Sequence, residues 1–183
     1  MTVTIAVMNQ KGGVGKTTLS DEIIYELESR GKTVAFTNMD PQGGAKHEPT
    51  MCTGEEDYLV IDTPGHMTRD FANVAKTATV IVIPTIPDSQ NTMALERSYK
   101  IAKTANPKAK IGVVLNCYAG NRLVDKDFES YVEAKGYPIW AKIPKTTEID
   151  QAHQMYMGLR ELNDSNRAVG LIAALVDRIE KEA

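Results

Sequence analysis

The sequence predicts a single α/β domain, residues 1–183, built on one doubly wound and mainly parallel sheet. The length of 183 residues fits one domain with a well-buried core. Short apolar runs rich in β-branched residues alternate along the chain with apolar residues at helical spacing. Apolar strands of this kind are covered by helices on both faces of a parallel sheet, with right-handed crossovers between the strands.

Six apolar runs are predicted to be strands, and helical periodicity predicts four helices between and after them. The predicted strands cover residues 3–8, 33–39, 58–62, 79–85, 110–116 and 137–143. The predicted helices cover residues 16–30, 89–104, 123–135 and 165–181. Residues 41–57 show no periodicity and form the only long irregular connection in this prediction, a kind of segment that tends to be functional or disordered.

Charged residues are unevenly distributed along a chain whose net charge is only −3. Residues 97–145 contain 10 Lys and Arg against 4 Asp and Glu. This block is therefore a candidate contact surface for a polyanion. On charge alone, a set of solvated helix faces is the more ordinary interpretation.

Other sequence features indicate a cytoplasmic protein without a membrane segment. No apolar run approaches the ~20 residues of a membrane span, and the N-terminus has no signal-peptide pattern. Cys52 and Cys117 lie far apart and form no CxxC motif. They are therefore predicted to be reduced thiols.

Residues 9–18, NQKGGVGKTT, follow the first predicted strand and lead into the first predicted helix. Gly15-Lys16-Thr17 fits the end of the phosphate-binding pattern G-x-x-x-x-G-K-[ST], but Gln10 stands where the first glycine is expected. Glycines in such a turn let backbone N–H groups point inward, and the helix N-terminus completes an anion site. In such a site Lys16 would contact the β- and γ-phosphates and Thr17 would hold Mg²⁺.

This stretch resembles the deviant Walker A loop, K-G-G-x-G-K-[ST], of the ParA/MinD family of ATPases, whose fold is of the P-loop NTPase type. The resemblance implies that Lys11 reaches across an ATP-bound sandwich dimer to the phosphates held by the partner subunit. A cation supplied in this way acts only when two loaded subunits meet, so ATP hydrolysis would depend on dimerisation. The implied nucleotide-binding residues of the loop are Gly12, Gly13, Val14, Gly15, Lys16, Thr17 and Thr18.

Two carboxylates complete the implied catalytic centre. Residues 40–43, DPQG, are similar to the switch I region of the family, which implies that Asp40 orients the attacking water. Asn38 stands where that pattern has its first aspartate, so one negative charge is missing. Asp62 ends an apolar strand in a Walker B-like arrangement and leads into residues 62–65, DTPG, which resemble switch II. The implied Mg²⁺ ligands are Thr17, Asp40 and Asp62, the last of these through a water.

The base of the nucleotide is expected to lie near Asn116 and Pro144. Asn116 ends a predicted strand, and Pro144 lies in a segment similar to the family's I-P-x-x-x-x-x-x-x-A pattern. The ordinary alternatives are that Asn116 caps a turn and that Pro144 ends a strand. No N-K-x-D motif for guanine occurs in the chain, which favours ATP over GTP.

The connection between the two carboxylates is short for the family. Only 22 positions separate Asp40 from Asp62, whereas a full βαβ unit takes ~30 or more residues. Residues 44–57 are therefore predicted to be a shortened irregular connection where relatives commonly have an extra helix and strand.

NQKGGVGKTT and DPQG favour the ParA branch of the family. The polar face of the last predicted helix is acidic, which argues against the membrane-binding MinD branch. The resemblance implies an ATP-dependent homodimer that binds DNA non-specifically at the nucleoid or a plasmid, with slow hydrolysis stimulated by a small centromere-binding adaptor. Two alternatives stay open: a positioning ATPase that binds no DNA, and a nucleotide-gated dimer switch with negligible turnover. The candidate DNA contacts are Lys100, Lys103, Lys108, Lys110, Arg122, Lys126 and Lys135.

Overall fold

The computed structural model describes residues 1–40, 44–65 and 70–183. The strands in these ranges are β1 Val3–Val7, β2 Val34–Asn38, β3 Tyr58–Asp62, β4 Val80–Thr85, β5 Lys110–Asn116 and β6 Ile139–Ile143. They form one sheet with the order β2-β3-β1-β4-β5-β6, in which every neighbouring pair is parallel. The direction of winding reverses at β1, so the predicted doubly wound parallel sheet is confirmed.

Helices cover both faces of this sheet. The α-helices in the described ranges are α1 Lys16–Ser29, α2 Asp70–Thr77, α3 Thr92–Ala105, α4 Leu123–Ala134, α5 Thr147–Gln154, α6 Leu159–Leu162 and α7 Arg167–Glu182. The four predicted helices correspond to α1, α3, α4 and α7, although a 3-10 turn, Ser89–Asn91, forms the start of the second. The prediction missed α2, α5 and α6, which are too short to show a clear apolar period.

The core consists of two apolar layers, one on each face of the sheet. Successive residues of a strand point to opposite faces, and β1 shows this directly. Ile5 and Val7 belong to the layer under α1 and α7, whereas Ala6 and Met8 belong to the layer under α2, α3 and α4. All four side chains are fully buried, which fixes β1 at the centre of the molecule.

The end of α1 is determined by Gly31. Gly31 has a φ of 74°, and its N–H donates to the Glu28 carbonyl at 2.8 Å. The N–H of Lys32 donates to the Leu27 carbonyl at 3.1 Å. This pair of bonds is a Schellman motif, which satisfies the last carbonyls of the helix and turns the chain into β2.

The last helix, α7, packs against α1 and β6 with its apolar side. The buried residues of that side are Ala168, Val169, Ile172, Leu175, Val176 and Ile179. Leu171 lies beside this stripe and is only partly buried. In the described ranges no helix is long and apolar enough to cross a bilayer.

Residues 44–57, the segment predicted to be a shortened irregular connection, contain no helix or strand. Part of this segment runs beside β2. The N–H of Phe36 donates to Thr50 Oγ1 at 2.9 Å, and the N–H of Thr50 donates to the Phe36 carbonyl at 2.8 Å. The connection therefore covers part of an edge strand, whose unpaired backbone groups would otherwise invite pairing with another chain.

A pair of glycine substitutions tests the packing of the sheet. A Cβ on Gly112 in β5 would lie 1.9 Å from the Trp140 ring, whereas a Cβ on Gly170 in α7 would meet nothing within 4 Å. We expect Gly112→Ala to destabilise the fold by about 1–3 kcal/mol through overpacking. Gly170→Ala should stabilise it by about 0.5–1 kcal/mol, because alanine is the better helix former. Urea unfolding of both variants measures the difference, and equal effects would contradict the described packing of Trp140.

Candidate functional site

The predicted loop lies where the order of the strands reverses, between the end of β1 and the start of α1. Ligands of doubly wound sheets bind at this edge, outside the carboxyl ends of the strands. The segments that follow β2, β3 and β5 begin at the same edge, because all the strands are parallel. The fold therefore brings the predicted loop, both predicted carboxylates and Asn116 to one side of the molecule.

Two glycines of the loop adopt backbone conformations that other residues rarely take. Gly13 has a φ of 74° and Gly15 a φ of 87°. At Gly15 a second constraint applies, because a Cβ there would lie 2.2 Å from Asn116 Nδ2. That amide donates to the Val14 carbonyl at 3.1 Å. Asn116 thus holds the loop in place, and its predicted contact with the base stays a prediction.

Sequence reasoning missed Asn9 and Ser98, which fix the start of the loop. Asn9 is fully buried. Its Nδ2 donates to the Pro84 carbonyl at 2.8 Å, and its Oδ1 accepts the N–H of Lys11 at 3.1 Å. The Ser98 hydroxyl oxygen accepts the N–H of Gln10 at 3.0 Å. The only available signal was an asparagine directly after a buried strand.

The two lysines of the loop have different surroundings. Lys16 is buried, and its Nζ donates to the Lys11 carbonyl at 3.0 Å. Burial lowers the pKa of Lys16, while the negative charges of Asp62 and Asp40 oppose this effect. Lys11 is partly exposed. Its backbone is held at both the N–H and the carbonyl, so the chain there is fixed on both sides of the side chain.

Thr17 and Asp62 form the predicted metal-binding pair. The Thr17 hydroxyl donates to Asp62 Oδ2 at 2.6 Å. Asp62 is fully buried, and its second oxygen, Oδ1, has no hydrogen-bond partner among the described residues. Burial raises the pKa of Asp62 to about 6, although the Thr17 hydroxyl and the Lys16 charge favour the ionised form. An orphaned carboxylate oxygen beside a hydroxyl fits the hard oxygen ligands that Mg²⁺ prefers.

Asp40 lies on the same side of the site, at the end of β2. Its N–H donates to Asn38 Oδ1 at 2.8 Å, and the N–H of Met39 donates to the Asp62 carbonyl at 2.9 Å. The charge of Asp40 acts on both Lys16 and Asp62. The asparagine at 38 therefore supplies the local hydrogen bond that shapes this turn. The remainder of the predicted switch I motif, residues 41–43, lies outside the described residues.

The predicted switch II segment contacts the phosphate-binding loop directly. A Cβ on Gly65 would lie 2.8 Å from the backbone nitrogen of Gly12 and 2.9 Å from its Cα. Only glycine allows this approach without a shift of the loop. The Thr63 hydroxyl donates to the Val7 carbonyl at 3.1 Å, which attaches the same segment to β1.

Pro144 follows β6 and lies beside the end of β5. In the sheet, Asn116 is the register partner of Ile143, so the two residues predicted to lie near the base sit on neighbouring strand ends. Pro144 lines a pocket of about 370 Å³ together with Tyr118, Trp140 and Arg167. Contact of Pro144 with a base stays a prediction.

Ion pairs divide the predicted DNA contacts into two groups. Lys110 pairs with Glu182, Arg122 with Asp125 and Lys135 with Glu96. Within the described part of the chain, no ion pair is formed by Lys100, Lys103, Lys108 or Lys126. All four of these lysines are exposed.

Two of the unpaired lysines are held close together by the turn after α3. Lys103 Nζ donates to the Pro107 carbonyl at 3.0 Å, one residue before Lys108. Asn106 Nδ2 donates to the carbonyls of Ala75 and Lys76, at 3.1 and 3.3 Å, which connects this turn to the end of α2. Lys76, Lys103 and Lys108 therefore lie on backbone segments that contact each other at the edge of the sheet opposite the loop, and we call these three residues the basic cluster.

The geometry is that of a P-loop nucleotide-binding domain: a glycine loop between a central strand and a helix, with a lysine, a hydroxyl and a buried carboxylate around it. Residues 5–159 match the family described as the CobQ/CobB/MinD/ParA nucleotide binding domain. Because this match covers most of the chain, the protein belongs to that family.

Individual relatives span several tasks. The chain is 28% identical over 167 residues to the maintenance of carboxysome distribution protein A of Halothiobacillus neapolitanus, covering 74% of this chain and 76% of that protein. It is 51% identical over 41 residues to the chromosome-partitioning ATPase Soj of Thermus thermophilus, which is 22% of this chain and 16% of that protein. The fold is similar to that of the septum site-determining protein MinD of Pyrococcus horikoshii, solved with Mg-ADP, with a TM-score of 0.77, 16% identity and coverage of 100% and 99% of the two chains.

The pKa of Asp62 predicts how stability depends on pH. Its folded-state pKa, about 6, lies above the ordinary value of 3.8. Its contribution to stability is therefore fully present below the ordinary pKa and is lost as the pH rises through 6. We expect the stability of the nucleotide-free wild type to fall relative to Asp62→Asn between pH 4 and pH 7, measured by urea unfolding.

The control for this experiment is Asp57→Asn. Hydrogen bonds from the Thr33 backbone and hydroxyl lower the pKa of Asp57. Its contribution is therefore present above the ordinary pKa and lost as the pH falls. The wild type should stay more stable than Asp57→Asn from pH 4 to pH 7. If its stability relative to both variants changed with pH in the same way, the burial effect at Asp62 would be contradicted.

Proposed function

We propose that this protein is a ParA-type ATPase that forms an ATP-dependent sandwich dimer and drives the partition of plasmid or chromosomal DNA. The observation that carries the proposal is the loop of residues 9–18, which combines a buried Lys16 with a second lysine, Lys11, on a fixed backbone. Lys16 already serves the nucleotide of its own subunit in this arrangement. A further lysine in the loop is useful chiefly to a second subunit.

The residues around the loop have complementary roles toward ATP and Mg²⁺. The backbone N–H groups of the loop and the start of α1 bind phosphate oxygens, and Lys16 exchanges its bond to the Lys11 carbonyl for one of them. Thr17 and Asp62 would hold Mg²⁺, which when bound would supply positive charge beside the phosphates. Asp40 orients the attacking water, and Lys11 of the partner stabilises the transferred charge.

The basic cluster of Lys76, Lys103 and Lys108 supports non-specific DNA binding. These lysines are exposed, and within the described residues they form no ion pairs, so they are available to phosphates. Lys110, Arg122 and Lys135 are weaker candidates, because each already pairs with a carboxylate. A small adaptor bound at the centromere would stimulate hydrolysis of the DNA-bound dimer at the nucleoid or plasmid.

A second candidate function is the positioning of a protein assembly without DNA binding. The positioning role, but not the absence of DNA binding, is supported by the match to the carboxysome distribution protein, which extends over 74% of this chain, against 22% for the chromosome-partitioning ATPase. The phosphate site is equally suited to both functions. ATP-dependent DNA binding separates them. A third candidate is a dimer switch with negligible turnover. Measuring ATP turnover in the presence of DNA and the partner protein distinguishes it from the proposed ATPase.

The role of Lys11 in trans can be tested by sedimentation. We expect ATP with Mg²⁺, but neither ADP with Mg²⁺ nor buffer alone, to shift the wild type from monomer to dimer. Lys11→Ala should abolish this shift while the protein still binds ATP, because Lys16 and the loop backbone remain. Lys181→Ala, which changes an exposed lysine in the last turn of α7, is the control. A Lys11→Ala variant that dimerises like the wild type would contradict the proposal.

The DNA surface is tested by comparing two double variants at several salt concentrations. Lys103→Ala with Lys108→Ala should weaken ATP-dependent binding to duplex DNA of any sequence and reduce the salt slope by about 0.9 per lost phosphate contact. Lys110→Ala with Lys135→Ala should have a much smaller effect, because both lysines are ion-paired. The absence of ATP-dependent DNA binding in the wild type would favour the positioning function instead.

A further inference from the structure

A buried carboxylate in the middle of α1 binds the segment that follows Asp40. Asp21 is fully buried. Both of its oxygens accept the N–H of Lys46 at 3.0 Å, and Oδ1 also accepts the N–H of His47 at 3.2 Å. His47 Nδ1 lies 2.8 Å from the same oxygen. Asp21 therefore attaches residues 46 and 47 to the helix that begins with the phosphate-binding residues.

The imidazole of His47 is enclosed by side chains of α1 and β2. Its Nε2 lies 3.5 Å from Glu28 Oε2. The ring centroid is 4.2 Å from that of Tyr25 and 6.3 Å from that of Phe36. His47 thus packs on two elements while it bonds to Asp21. Its position is set by several contacts, which makes residue 47 a firm attachment point in an otherwise irregular segment.

The attachment lies close in sequence to the carboxylate proposed to orient water. Asp40 precedes Lys46 by six residues, so the chain between them can span at most about 20 Å. On its other side, Asp40 is bonded to Asn38, next to the end of β2. Asp40 therefore lies between two attachments along the chain, one to the sheet and one to α1 six residues further on.

We propose that Asp21 and His47 are positioning residues for Asp40. They hold residues 46 and 47, close behind Asp40 in the chain, on the same helix that carries Lys16 and Thr17. Asp40, which orients water, then keeps a fixed distance and orientation relative to Lys16 and Thr17, which bind phosphate and metal. This inference rests on the proposed ATPase function of the site, and it assigns to the shortened connection a specific task in that reaction.

The adjacent residue of α1 provides a matched control. Glu22 is buried, its Oε1 lies 2.9 Å from His153 Nε2, and it accepts the N–H of Leu159 at 3.2 Å. The chemistry is the same as at Asp21: a buried carboxylate, a histidine and a backbone N–H. Glu22, however, attaches the turn between α5 and α6, which does not lead to Asp40.

The experiment compares Asp21→Asn and His47→Gln with Glu22→Gln and His153→Gln. Turnover at saturating ATP and Mg²⁺ and the KM for ATP are measured well below the Tm of each variant. We expect Asp21→Asn and His47→Gln to lower kcat about 10-fold or more with a change in KM of less than about 3-fold, since small misplacements of reacting groups cost up to ~100-fold. The two control variants should lower the Tm but leave kcat near that of the wild type.

Equal losses of kcat in the two pairs of variants would overturn the proposal, because Asp21 would then act only on stability. His47→Gln keeps the carboxylate in place and serves as the milder variant if Asp21→Asn does not fold. A rise in KM without a fall in kcat would also overturn it, since the residues would then serve nucleotide binding.

Amide hydrogen exchange separates this inference from the proposed function. Protection of the Lys46 and His47 amides is expected in the wild type and in Glu22→Gln, and its loss is expected in Asp21→Asn. If the wild type binds ATP without turnover, the ATPase function has failed, and exchange still shows whether Asp21 holds the segment. If these amides exchange equally in the wild type and in Asp21→Asn, the attachment itself is wrong, whatever the turnover.

Discussion

The loop between β1 and α1 must present its backbone to an anion, and this constraint organises the structure around it. A loop that offers its N–H groups to phosphate cannot rely on them for its own stability. Its shape is therefore imposed from outside. Asn9 and Ser98 fix its start, Asn116 holds the Val14 carbonyl, and Gly65 packs against Gly12. These residues come from four different segments, so the loop keeps its shape only when the sheet is assembled.

The electrostatics of the site show the same dependence on the fold. Burial lowers the pKa of Lys16 and raises the pKa of Asp62, so both charged forms are disfavoured by their surroundings. Their mutual attraction and the Thr17 hydroxyl offset part of this cost. The remaining free-energy cost of burying these charges is offset by the packing of the sheet, which is buried on both faces. A phosphate beside Lys16 and a cation beside Asp62 would stabilise the charged forms of both residues. The site therefore favours a ligand that brings both a phosphate and a cation.

The sheet and the loop could be predicted from the sequence because their signals are local. Short apolar runs rich in β-branched residues, bounded by polar or turn residues, favour buried strands, and NQKGGVGKTT carries its chemistry within ten positions. The side chains that hold the loop could not be predicted in this way. Asn9 and Ser98 are 89 positions apart and meet only through the strand order. The same reason applies to Lys110 and Glu182, whose pairing weakens a predicted DNA contact.

Residues 44–57 show what a polar loop needs when it has no core of its own. They form no helix or strand, so they have little apolar surface that could fix the segment by packing. Here specific hydrogen bonds take that role: Thr50 to β2, Asp57 to Thr33, and Lys46 and His47 to Asp21. Hydrogen bonds are directional, whereas apolar packing is not. Such anchors therefore specify a position more sharply than they add stability, and a segment close to the carboxylate proposed to orient water requires position above all.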